Sequence, residues 1–150
     1  TMPTNYTKKR RIGSFKTNAS VQIMAFTQFG DQYIWANPVG DVNALTVGNT
    51  VVTATLPSIP LGVRVNALFR ITMSNPSNWN SLTFPVDDLT TTTATPTGNF
   101  NMNGAAGVGV SGQFEQLTNT NQQIKMVMNA AGGTVFVVTF GWVDSRGRFN

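Results

Sequence analysis

A chain of 150 residues, 41% hydrophobic but only 11% charged, is sized for one domain and falls well short of the ~25% charge usual in soluble domains. Its polarity is neutral instead, with 21 Thr, 16 Asn, 8 Ser and 7 Gln, a mixture that favours strands and turns over helices. The absence of Cys and His excludes disulfides, zinc–thiolate sites, iron–sulfur clusters, thiol nucleophiles and the commonest general base.

Only six carboxylates remain, Asp31, Asp41, Asp87, Asp88, Glu115 and Asp144. No catalytic, cofactor or metal motif is built from them, and a non-enzymatic protein is expected. No apolar run reaches the ~18 residues of a membrane span, so no membrane partner is expected.

Charge is unevenly placed. Residues 1–16 carry Lys8, Lys9, Arg10, Arg11 and Lys16 without an acid, a charge of +5, while residues 17–150 sum to −1. Residues 1–18 have few apolar side chains and no periodicity, and read as an extended basic arm ahead of a single domain over 19–150. No apolar stretch follows the basic cluster, so it does not read as a secretory signal.

Within the domain, Val21, Ile23 and Ala25 alternate with Gln22 and Met24 in a strand over 20–27. A second strand covers 32–36 and is expected to end at Asn37-Pro38-Val39-Gly40. A third covers 50–56 and closes at Pro57 and Pro60, since proline cannot donate to a sheet ladder. The clearest element is 63–73. Its odd positions, Val63, Val65, Ala67, Phe69, Ile71 and Met73, are all apolar, and Leu68 is the one apolar residue among the even ones. Period two over that length buries one face of a strand and cannot do so in a helix.

Another strand is predicted over 79–86. Residues 87–103, rich in Thr, Gly and Asn, read as a long loop or edge ribbon, and 104–112 as a weak strand or flexible turn. Strands follow near 113–118 and 124–129, then a turn at Ala130-Ala131-Gly132-Gly133. The last strand, 134–143, is apolar on both sides: Val135 and Val137 on one, Phe136, Val138, Phe140 and Trp142 on the other. About eight strands without a helix predict an all-β, antiparallel, jelly-roll-like β-sandwich, with a Greek-key immunoglobulin-like sandwich as the alternative. A strand apolar on both faces needs a cover on each, supplied by its own chain or by a second subunit.

The segment from Val135 to Arg148 contains Gly141-Trp142-Val143-Asp144 followed by Ser145-Arg146-Gly147-Arg148. It resembles the ending of many small tailed-phage virion proteins. The segment from Leu56 to Phe69, in which Pro60-Leu61-Gly62-Val63 leads into the long alternating strand, is similar to their middle strands. The resemblance implies a virion structural component, either a capsid decoration protein or a head- or tail-fibre domain. It also implies a homotrimer in contact with capsid or tail proteins of the same particle. It carries over no catalytic residue, and the basic arm departs from its pattern.

Several residues are candidates for contact. The arm residues Lys8, Lys9, Arg10, Arg11 and Lys16 suit anchoring to a neighbouring subunit, or binding of packaged nucleic acid as in small-virus coat proteins. Phe136, Val138, Phe140, Trp142, Arg146 and Arg148 are candidates for subunit contact. Trp79, set among Asn75, Pro76, Ser77, Asn78 and Asn80, is the best candidate for an exposed aromatic. With Asp87 and Asp88 it offers a surface for a ligand, such as a host glycan bound by a fibre tip. Two adjacent carboxylates without a spaced loop are not a calcium motif.

Overall fold

In the computed structural model, residues 13, 15–18, 20–95 and 101–145 are described. They form nine strands and no helix: β1 (Phe26–Phe29), β2 (Gln32–Val47), β3 (Val52–Thr55), β4 (Asn66–Ser74), β5 (Trp79–Pro85), β6 (Met102–Gly104), β7 (Val110–Leu117), β8 (Gln123–Met128) and β9 (Gly133–Val143). A five-stranded sheet in the order β1-β2-β9-β4-β7 faces a four-stranded sheet in the order β3-β8-β5-β6. Every pairing is antiparallel, and the pairs nest: β2 with β9, β3 with β8, β4 with β7, β5 with β6. A long ribbon of four pairs rolled into two sheets is the jelly roll, and β1 is an added edge strand on β2.

β4 has the period-two pattern its sequence dictates. Val65, Ala67, Phe69, Ile71 and Met73 are buried between the sheets, while Leu68, Arg70 and Thr72 face outward. Its inner residues join Ile124, Met126 and Met128 of β8 and Val135 and Val137 of β9 in one core. Pro57 and Pro60 fall where β3 gives way to the 57–65 connection, as expected. Each fully buried aliphatic side chain here stabilises the fold by about 1.5–3 kcal/mol relative to exposure.

Two strand expectations are corrected. β2 does not stop at Ala36 but runs to Val47 through three register shifts against β9. Pro38 is tolerated because 35–38 have no ladder partner in β9, so its missing N–H leaves no gap. The first strand begins at Phe26 rather than Ser20. Residues before it form a small hairpin in which Thr17 bridges Ile23, so the end of the expected extended arm is folded back. Residues 102 and 103, at the end of the expected loop or edge ribbon, open β6, an edge strand paired with the start of β5.

Lys8, Lys9, Arg10 and Arg11 of the arm, and Arg146 and Arg148 of the tail, lie outside the described residues.

Candidate interaction surface

The final strand decides the outer face of the larger sheet. Val135, Val137 and Thr139 point inward, and Phe136, Val138 and Phe140 point outward. β9 then bulges: Phe69 pairs with Thr139 but Leu68 pairs with Gly141, leaving Phe140 as the extra residue. A bulge reverses the alternation beyond it. Trp142 is therefore turned into the core and fully buried, which corrects its expected place beside Phe140 on the contact face. Its ring stacks on Tyr33 at 5.0 Å and 2° and meets Trp35 at 4.9 Å, with Phe26 closing the cluster.

Gly141 is the hinge of this arrangement. A Cβ there would lie 1.9 Å from the carbonyl oxygen of Tyr33 and 3.0 Å from the Ile34 Cα. The bulge draws β9 that close to β2, and only glycine fits. A glycine inside an otherwise doubly apolar run was the signal in the sequence for a bulge.

Phe136 is 41% exposed, and Val138, Phe140, Leu68 and Ile34 are half-buried on the same outward face. At one end of it lies a groove of about 330 Å³ lined by Gln32, Ile34, Leu68, Gln113, Glu115 and Phe140, among others. The walls are mostly hydrocarbon. Glu115 is the groove's one carboxylate, and its Oε1 accepts the Asn66 amide at 2.8 Å.

Trp79 is not exposed. It opens β5, points into the core at 2% exposure, and lies against Gly104, where a Cβ would stand 2.7 Å from the indole ring. The polar residues around it concealed this, because β5 also turns Ser81 and Thr83 inward. Both are satisfied there: the Ser81 hydroxyl reaches the Met102 carbonyl, and Thr83 Oγ1 accepts from Asn101 at 2.5 Å.

Asp87 and Asp88 do not converge on a common point. Asp87 pairs with Arg64. The Asp88 carboxylate accepts the backbone N–H and hydroxyl groups of Thr90 and Thr91, and these bonds, the Thr91 hydroxyl foremost, hold it well below the usual carboxylate range. Lys125 donates to the Asp88 carbonyl at 2.9 Å and sits 5.9 Å from the Phe84 ring centroid. This network folds 87–91 back over β5 and β8. Among the described residues no group of three acidic side chains gathers to hold a metal ion.

A cluster that sequence reasoning missed centres on Asp41. Its Oδ1 accepts the Ser58 N–H at 3.0 Å, and its Oδ2 accepts the Ser58 and Thr139 hydroxyls, both at 2.5 Å. Burial pushes the carboxyl up, against the opposing pull of those bonds and of the Lys16 charge. The cluster ties the irregular middle of β2 to β9 and to the 57–60 turn. The three residues are 17 and 98 positions apart along the chain, so no local pattern announces them.

No protein-family model matches the chain, and no curated protein matches it.

Proposed function

We propose that this chain is a non-enzymatic bacteriophage virion protein, a capsid decoration or fibre component that acts by assembling with copies of itself and seating on other proteins of the particle. The observation that carries this reading is the outward face of the five-stranded sheet. Its central strand, β9, presents Phe136, Val138 and Phe140 beside Leu68 and Ile34. This apolar stripe, with the outward Arg70 and Thr72 set directly across from Val138 and Phe136, is a contact surface rimmed by polar groups, and a closed trimer covers one such face per subunit.

Two further points support it. The segments that resemble small tailed-phage virion proteins are those that build β4 and β9, the strands beneath this face. Jelly rolls also serve widely as viral coat domains, although a fold by itself does not assign a function. The described carboxylates Asp41, Asp87, Asp88 and Glu115 are engaged in holding turns and strands, which favours an assembly role over catalysis.

The test is the mass of the purified chain in solution. Sedimentation velocity at micromolar concentration is expected to give a homo-oligomer, with a trimer favoured, and the double substitution Phe136→Ser, Val138→Ser is expected to disperse it while leaving the monomer folded. A wild-type chain that sediments only as a monomer overturns the proposal. Imaging of labelled particles then gives the position on the virion.

A further inference from the structure

The five-stranded sheet is nearly without charge. Its strands hold three charged residues, Asp41 in β2, Arg70 in β4 and Glu115 in β7. The Asp41 carboxylate is taken up by Ser58 and Thr139. Arg70 and Glu115, both exposed, are the charges these strands leave to the outward face.

Neither is matched by an opposite charge within the chain. Arg70 lies across from Gln113 on one side and Val138 on the other, and Glu115 lies across from Leu68. That sets the two diagonally on adjacent strands, about 7–8 Å apart, a span that long side chains can close. The structure does not close it. Glu115 Oε1 accepts the Asn66 amide at 2.8 Å, and Asn66 stands on the side of Leu68 away from Arg70. Among the described residues no carboxylate pairs with Arg70.

These two groups decide what can cover the face. Phe136, Val138 and Phe140 run alongside them, so a partner that buries the apolar stripe also strips water from the charges. Desolvating an unpaired charge is costly unless an opposite charge meets it. A wholly apolar partner brings no such charge. An acidic one leaves Glu115 facing its like, and a basic one does the same to Arg70. A second copy of this face brings one guanidinium and one carboxylate, each the complement the other copy lacks.

Resting on the self-assembly reading above, we infer that Arg70 of one copy bonds the Glu115 carboxylate of the next across the outward face. The Asn66 amide occupies Oε1, and the other carboxylate oxygen is open to the guanidinium in a charge-assisted hydrogen bond. In a closed ring every copy gives Arg70 to one neighbour and Glu115 to the other, so each charge finds its complement. Val138, directly beside Arg70, and Phe140, which shares the groove with Glu115, pack around the pair and exclude water from it.

Charge exchange separates this contact from other modes of assembly. Three proteins are compared with wild type by sedimentation velocity at micromolar concentration: Arg70→Glu, Glu115→Arg, and the two combined. Both side chains are exposed in one copy, and near-ultraviolet circular dichroism from the Tyr33–Trp142 stack checks that each variant keeps its core.

Each single variant sets like charges against each other between copies and is expected to weaken association by more than about tenfold. The combined variant restores opposite charges with their places exchanged and is expected to regain the wild-type mass. Single variants that keep the wild-type mass overturn the inference and leave self-assembly standing; a shifted urea midpoint beside that unchanged mass assigns the two charges to the stability of one chain. Single variants that dissociate while the combined one stays dissociated overturn the pairing as well. A wild-type chain that is itself a monomer overturns both readings.

Discussion

Replacing Gly141 by Ala tests the geometry on which the outward face depends. The added Cβ falls 1.9 Å from the Tyr33 carbonyl oxygen and 2.9 Å from its carbonyl carbon, whereas a comfortable C···O contact is about 3.3 Å. One strand must retreat by more than ~1 Å, and both contacting atoms belong to backbone that no rotamer change can move. Overpacking of this kind costs about 1–3 kcal/mol. Loosening the Tyr33–Trp142 stack, now at 5.0 Å, forfeits about 0.5–1.5 kcal/mol more. A ladder hydrogen bond stretched beyond reach adds about 1 kcal/mol.

The sum is about 2.5–5.5 kcal/mol, which for a chain of this length lowers the melting temperature by on the order of 10 °C. Urea unfolding followed by far-ultraviolet circular dichroism measures the loss, and the near-ultraviolet spectrum reports the stack separately. A Gly141→Ala protein within ~1 kcal/mol of wild type with its aromatic signal intact would mean that β9 does not bulge at Phe140. Trp142 would then belong to the outward face after all.

Three other substitutions, at two positions, probe the interior. Asp41→Ala leaves the Ser58 N–H and two buried hydroxyls without their acceptor and is expected to cost about 2–4 kcal/mol, read from the urea midpoint. Asp41→Asn keeps an acceptor for the Ser58 N–H and an amide for the hydroxyl oxygens, and it changes the pH dependence. Burial raises the folded-state pKa above the ordinary 3.8, so as pH rises through that value the unfolded chain releases its proton first and stability falls. The decline levels off above the raised pKa. Asn lacks it, so Asp41→Asn gains on wild type as pH rises from the ordinary carboxyl value through the raised one; parallel stability curves over that rise would refute the assignment. Trp79→Ala is expected to cost about 3–5 kcal/mol as a buried ring is lost, where an exposed ligand-contact tryptophan would cost within ~0.5 kcal/mol.

How much of this was legible before folding differs from element to element. β4 could be read residue by residue, because its inner and outer faces alternate without interruption from Asn66 to Ser74. Trp79 could not, because β5 buries Ser81 and Thr83 on the same side, and only partners distant in sequence, such as Asn101 just ahead of β6, satisfy them there. In the sequence, Asn37-Pro38 reads as a terminator of the second strand. A bulge opposite β9 instead absorbs the proline within one continuous strand. The subunit-contact assignments for Phe136, Val138 and Phe140 fall together on one outward face, and Trp142 leaves it.

Composition and alternation by themselves determined the β class, the number of strands to within one, and the wet and dry sides of the longest regular strand. These follow from side-chain chemistry and a two-residue repeat, both local properties of the chain. Only the tertiary structure decided the nested pairing, the burial of Trp79 and Trp142, and the meeting of Asp41 with Ser58 and Thr139. Each of those depends on register between segments far apart in sequence. A single inserted residue at Phe140 exchanges the faces of everything beyond it, and alternation read along one strand carries no record of where its partner slips.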